Sequence, residues 1–226
     1  MCMNKRQIIA IGLLCLAATA ADAQLSIGVR GGWTQTSISQ SNTGRVDETF
    51  SKLSGYETGI QAGYSITDWM SVRADLNFMQ RSYRKDRNLH YLDPVFTEYH
   101  NSYLIMPVMA DFSFGGERLH GHLLGGGFAS YWLNAEIHGK TYWLTDYYVF
   151  FEDFDEYRDF NSEDQRFTAG FVGGTGLSYS INSNLSFNSD ILYYYDLVSH
   201  HKGYDHLSDP RYLNTLSISL GISYKF

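Results

Sequence analysis

The sequence predicts an all-β fold, a single antiparallel up-and-down transmembrane β-barrel of about eight strands. Three observations carry that expectation. Apolar and polar residues alternate with period two along most of the chain after residue 23. Short and long connectors between the alternating runs also alternate. No stretch after residue 23 is apolar for long enough to cross a bilayer as a helix. Only helices and closed barrels satisfy their backbone groups in hydrocarbon, so a membrane chain without the first must be the second.

The alternation is clearest at the C-terminus. Leu216, Ile218, Leu220, Ile222, Tyr224 and Phe226 interleave with Ser217, Ser219, Gly221, Ser223 and Lys225. The first strand sets Leu25, Ile27, Val29 and Trp33 against Ser26, Gly28, Arg30, Gly32 and Thr34. A second sets Ile60, Ala62, Tyr64 and Ile66 against Glu57, Gln61, Gly63 and Ser65. The third sets Met70, Val72, Ala74, Leu76 and Phe78 against Ser71, Arg73, Asp75 and Asn77. The fourth, near 99–114, is partly apolar on both faces, and Asp111 turns its odd positions inward. Pro107 lacks a ladder donor, which predicts a bulge there. The fifth runs near 119–133 through Gly125, Gly126 and Gly127. A sixth presents Phe167, Phe171, Leu177 and Tyr179, and a seventh presents Leu185, Phe187, Ile191, Tyr193 and Tyr195.

Tight links fall at Thr67-Asp68, at Gly115 to Arg118 and at Asn182 to Asn184. Long ones span 37–54, 81–98, 134–164 and 199–211. This is the pattern of short periplasmic turns and long extracellular loops. Outward residues are aliphatic in mid-strand and aromatic near the ends (Trp33, Tyr64, Trp69, Tyr179, Tyr224, Phe226), as two lipid–water interfaces require. Inward positions carry Arg30, Glu57, Arg73, Asp75, Asp190 and Asp196. In so narrow a barrel these are expected to pair and fill the interior, because an unpaired buried charge is costly.

Residues 1–23 read as a signal peptide. Lys5 and Arg6 precede the apolar run 8–18, and Ala21-Asp22-Ala23 is a small-x-small cleavage site. Leu14 stands where a lipobox before Cys15 wants a small residue, so cleavage after Ala23 is the expectation. The barrel domain then covers 24–226. Both cysteines, Cys2 and Cys15, leave with the signal, so no disulfide is expected. The 17 basic and 24 acidic residues become 15 and 23, a balance that disfavours nucleic acid as a partner.

These runs resemble the outer-membrane β-barrel family of Bacteroidota that includes the PorT-like proteins. The opening Ala23-Gln24-Leu25-Ser26-Ile27-Gly28-Val29-Arg30-Gly31-Gly32 is similar to the family's first strand. Tyr103-Leu104-Ile105-Met106-Pro107-Val108 looks like its Tyr-Leu-x-x-Pro strand, and 121–127 sits where the family carries a Gly-rich strand. The resemblance implies the outer membrane as compartment, with lipid and lipopolysaccharide as surroundings. It also implies that the C-terminal strand, ending on Tyr224 and Phe226, is the signal for the barrel-assembly machinery. A role in protein secretion belongs to the family's namesake, and no motif here selects it.

No Gly-x-Ser-x-Gly elbow, His-Glu-x-x-His or phosphate loop is present, so neither an enzyme nor a cofactor is expected. His120 and His122 share a strand face and read as packed histidines. His200, His201, Asp205, His206 and Asp209 match no standard metal spacing and read as solvated loop. The most distinctive segment is 146–164, with eight acidic residues against Arg158 alone. Tyr147, Tyr148, Phe150, Phe151, Phe154, Tyr157 and Phe160 are interleaved, so something must bury them: strand extension, a lid over the mouth, or a protein partner. No EF-hand spacing supports calcium there. The expectation is a non-enzymatic barrel acting through its outer loops or as a subunit of an envelope complex. A narrow channel and a lipid-modifying enzyme are the alternatives.

Overall fold

The computed structural model describes residues 25–40, 48–87, 95–116, 118–144, 148–161, 164–200 and 211–226. Nine strands are formed among them: β1 (Leu25–Gln40), β2 (Glu48–Ser65), β3 (Met70–Arg87), β4 (Val95–Gly115), β5 (Leu119–Leu144), β6 (Val149–Tyr157), β7 (Phe167–Ser180), β8 (Leu185–Asp196) and β9 (Arg211–Lys225). All pairings are antiparallel, and eight strands close a ring in the order β1-β2-β3-β4-β5-β7-β8-β9, with β9 returning to β1. β6 stands outside that ring, paired to the upper part of β5. Closure leaves no sheet edge in the ring, which is the condition for strands to lie in hydrocarbon.

At one end of the barrel the strands are joined by the three predicted tight turns. The Ile66 amide bonds to the Met70 carbonyl, the Gly116 amide to the Leu119 carbonyl, and the Ile181 amide to the Leu185 carbonyl. Asn182 Oδ1 accepts from the amides of both Asn184 and Leu185, an Asx turn. Gly115 takes φ +134°, which only glycine adopts without strain. β1 begins and β9 ends at this turn end, where the Phe226 amide donates to the Leu25 carbonyl at 3.0 Å.

At the opposite, loop end the strands run further than the sequence suggests. Residues 37–54 were expected as loop, yet β1 continues to Gln40 and β2 starts at Glu48. Likewise β3 reaches Arg87, β4 starts at Val95, and β5 extends to Leu144. Polar side chains hid these extensions, because beyond the lipid neither face needs to be apolar. The bulge expected at Pro107 is also absent. The β3–β4 register is the same on both sides of the proline, from Ala74↔Val108 to Asn77↔Ile105. The irregularity lies instead between Ser102 and Tyr103, where Leu133 is the extra residue of β5. Below it the even positions of β5 point inward (Leu124, Phe128, Trp132), and above it the odd ones do, starting with Ala135.

The outward face matches the predicted alternation. Val29, Ile60, Leu76, Met106, Val108, Ile191, Leu220 and Ile222 form an exposed aliphatic belt. Aromatic rings bound it on both sides. Trp69 stacks on Phe112 (centroids 6.0 Å) and Tyr224 meets Phe226 (5.1 Å) toward the turn end. Trp33 pairs with Tyr56 toward the loop end. The lumen is divided. The wall from β3 through β8 packs Met79, Tyr103, Ile105, Met109, Leu124, Phe128, Val172, Leu192 and Tyr194 into an apolar cluster. The β1–β3 side carries Arg30, Glu57, Arg73, Asp75 and Arg81, and β8 adds Asp190 and Asp196. Gly126 permits close packing at the apolar wall, since a Cβ there would stand 2.0 Å from the Val108 carbonyl oxygen.

Candidate functional site

Five of the six predicted interior charges converge at mid-barrel. Arg30 reaches Asp75 at 2.6 Å and Glu57 at 3.0 Å. Arg73 reaches Asp190 at 2.8 Å and Asp75 at 3.1 Å, and Asp190 lies 3.8 Å from Arg30. Arg30 also bonds to the Ser219 hydroxyl. The side chains of Glu57 and Asp75 are fully enclosed. Together with the apolar wall they fill the cross-section.

Asp196, the sixth, belongs to a separate cluster nearer the loop end. There Arg81 donates to both carboxylate oxygens of Asp196 (2.9 and 3.2 Å), to Thr215 (2.8 Å) and to the Leu213 carbonyl. Arg81 was missed from the sequence, where it stands among Arg84, Lys85 and Arg87 and reads as a solvated run. His200 completes the cluster at 2.6 Å from Asp196, and its other nitrogen meets the Tyr103 hydroxyl at 3.2 Å. It is buried, which corrects the solvated-loop reading for this residue. His201, Asp205, His206 and Asp209 lie outside the described residues. Among the described residues no group of three or more His, Cys, Asp or Glu is arranged to hold a metal.

A cap closes this upper cluster. After β6 the chain folds back, with the Trp132 amide bonding to the Arg166 carbonyl and the Gln165 amide to the His200 carbonyl. Phe160 packs edge-on against Trp132 (4.9 Å), and Arg158 pairs with Asp164 at 2.6 Å. Beneath it remains a cavity of about 30 Å³ lined by Asn101, Tyr103, Trp132 and His200 among others. Burial holds the His200 imidazole below its ordinary pKa, against the opposing pull of Asp196. In the neutral ring, Nε2–H donates to Asp196 and Nδ1 accepts from Tyr103. A group whose folded pKa is depressed contributes stability above the unfolded value of about 6.5 that is lost as pH falls below it. Protection of residues 158–161 and 164–166 against hydrogen exchange, after correction for the intrinsic rate, is therefore expected to fall between pH 7.5 and pH 5. An exchange rate that changes only by the intrinsic chemical factor would refute the linkage.

The ring, its two aromatic girdles and its filled lumen describe a membrane barrel. The outer membrane protein beta-barrel domain profile matches residues 8–226. The chain belongs to that family. No curated protein matches it in sequence. Among solved structures, the outer-membrane barrel resembles the outer membrane protein OprG from Pseudomonas aeruginosa, with TM-score 0.53 and 13% identity over 90% of this chain and 97% of that one. Neisserial surface protein A is similar at TM-score 0.48 and 15% identity, over 88% and 97%. Ail, the attachment invasion locus protein of Yersinia pestis, gives 0.39 and 11%, over 89% and 98%. These likenesses concern the fold.

Above the girdle the outer-membrane barrel projects the β5–β6 hairpin, which is what the acidic-aromatic segment forms. Lys140 faces Asp153, and His138 faces Asp155 with a contact of 3.1 Å. Phe154 half-buries its ring over Gly139, and Lys140 Nζ sits 4.9 Å from the Phe151 ring centre. Tyr148, Phe150, Phe151 and Tyr157 remain exposed, Tyr157 by 74%. Tyr147 lies outside the described residues. Strand extension therefore buries only part of the aromatic surface. At the turn end, Tyr224 and Phe226 both point outward and are about half exposed. Residues 1–24, with the signal and its cleavage site, also lie outside the described residues.

Proposed function

We propose that this outer-membrane barrel is a plugged scaffold that acts through its loop end, by presenting the β5–β6 hairpin to a protein partner outside the membrane. The observation that carries this reading is the combination of a lumen filled with paired charges and a hairpin that leaves four aromatic side chains exposed. Exposed aromatics clustered on a rigid ladder are the usual material of binding hot spots, and flanking carboxylates favour a basic counterpart. The role needs no catalysis. A subunit of an envelope or secretion complex of the PorT-like kind is the setting in which such a scaffold fits. In that setting the tight turns face the periplasm, export uses residues 1–23, and assembly reads Tyr224 and Phe226. The channel alternative is disfavoured because Arg30, Arg73 and three carboxylates meet across the lumen.

The test is photo-crosslinking in intact cells from a benzophenone side chain placed at Tyr157, with Tyr195, on the lipid-facing surface, as the control. A discrete protein adduct from position 157 alone is expected. Adducts of equal yield from both positions, or none at 157, would sink the reading. Planar-bilayer recording of the same purified protein should show no steady conductance.

A further inference from the structure

At the turn end, below the central ion pairs, the lumen opens into a polar cavity of about 230 Å³ with eight serines in its lining. Three neighbouring inward positions on β4, β5 and β7 meet on its wall. Asp111 Oδ1 lies 2.8 Å from His122 Nδ1, and His122 Nε2 lies 2.8 Å from Ser178 Oγ. Ladder pairs on both sides, Phe112↔Leu123 and Gly121↔Leu177, hold the three strands in this register. Ser113 Oγ approaches the same Nδ1 at 3.2 Å, but the shorter contact to a charged acceptor is the stronger one. The His122 and Asp111 side chains are 15% and 10% exposed, so the relay faces the cavity instead of being sealed within packing.

We propose that Asp111, His122 and Ser178 form a nucleophilic relay that hydrolyses small, water-soluble acyl esters entering from the turn end. This activity is independent of the loop-end role. Asp111 is a positioning residue: it accepts a hydrogen bond from Nδ1–H and so leaves the Nε2 lone pair facing Ser178. Ser178 Oγ attacks the acyl carbon while its proton passes to Nε2. Collapse of the tetrahedral adduct breaks the ester C–O bond, and the departing alcohol takes that proton. Water, deprotonated by the same nitrogen, then cleaves the acyl-serine, so one ester and one water give one acid and one alcohol. Asn188 Oδ1 accepts from Ser178 Oγ at 2.5 Å and its Nδ2 donates to Ser223 at 2.9 Å; turning its amide plane frees the Ser178 proton for His122 and brings the N–H beside Ser178. In that orientation it offers an N–H to the developing oxyanion.

The cavity also selects the substrate. A void of about 230 Å³ lined by Arg73, Asp111, Asp190 and eight serines favours a small polar ester over a lipid chain. The lipid face gives no entry, because β4, β5 and β7 are paired without a break beside the relay. The lipid-modifying alternative therefore does not fit this relay, and a short-chain ester does.

The experiment uses the full barrel folded in detergent, with heat-modifiable gel migration as the check of folding. A fluorophosphonate should label the wild type on the peptide that holds Ser178. p-Nitrophenyl acetate should be hydrolysed at least 10-fold faster than p-nitrophenyl octanoate. Ser178→Ala should abolish labelling and lower acetate hydrolysis 100-fold or more. Asp111→Asn should lower the rate by a similar factor and remove the rise of rate with pH that an imidazole base produces. Ser65→Ala, on the same cavity wall but outside the relay, should label as the wild type does. If a folded Ser178→Ala barrel cannot be obtained, Ser178→Cys replaces it and should take up iodoacetamide at that position. Absence of Ser178 labelling in the folded wild type overturns the proposal, as does undiminished hydrolysis in a folded Ser178 variant.

Discussion

Replacing Arg30 by alanine is expected to cost the barrel about 3–5 kcal/mol of unfolding free energy, the usual penalty for stranding a buried charge. Arg30 holds Asp75 at 2.6 Å and Glu57 at 3.0 Å, and all three side chains are at most 1% exposed. Without it, among the described residues, Arg73 alone pairs with Asp75 and Asp190, and Glu57 keeps no salt-bridge partner. Lysine should recover only part of the loss, because an ammonium does not match a fork that spans two carboxylates and the Ser219 hydroxyl. The double change Arg30→Ala with Glu57→Ala should be less harmful than the single one. Equilibrium urea unfolding in phospholipid vesicles, followed by tryptophan fluorescence, measures all three. A loss below about 1 kcal/mol for the single variant would mean that water repairs the site, contrary to a filled lumen.

The second large effect is expected at Arg81, also by about 3–5 kcal/mol on replacement by alanine. Its guanidinium is fully buried and meets Asp196, Thr215 and the Leu213 carbonyl, and it lies 5.4 Å from the Tyr103 ring centre. Deletion leaves Asp196 with the neutral His200 as its remaining side-chain partner among the described residues. Here the consequence should be local as well as global. Tyr103, Trp132 and His200 support the cap, so faster hydrogen exchange is expected at 158–166 and unchanged exchange in the turn-end halves of β7 and β8. Uniform acceleration throughout the ring would show that the two interior clusters behave as one unit. Asp196→Asn, which removes the negative charge yet keeps the shape, should be milder than Arg81→Ala.

The ring and its turns were legible because two constraints act on every membrane-spanning residue. One face meets lipid and the other does not, so hydropathy reports sidedness directly. The turns announced themselves through Gly115 and Asn182. β4 was harder, since Tyr103, Ile105 and Met109 face an apolar part of the lumen while Leu104, Met106 and Val108 face lipid. Asp111 decided its orientation. β6 was hidden for the opposite reason. Each of its faces mixes aromatics with carboxylates, because above the girdle neither face has to be apolar. The pairing of Arg30 and Arg73 with carboxylates could be anticipated from parity alone. The partnership of Arg81 with Asp196 could not, nor could that of His122 with Ser178, because each depends on which strands stand side by side around the ring. His122 and Ser178 are 56 residues apart in the chain.

Leu133 gives β5 two reading frames. From Leu119 to Trp132 even numbers look into the lumen, and from Ala135 to Tyr142 they look out. The inserted residue works like a phase shift in a signal: the hydropathy code is continuous on either side of it but inverted across it. Sequence variation in the hairpin is thereby uncoupled from the lipid-facing pattern below. The upper frame answers only to whatever the hairpin meets, and the lower one answers to the bilayer.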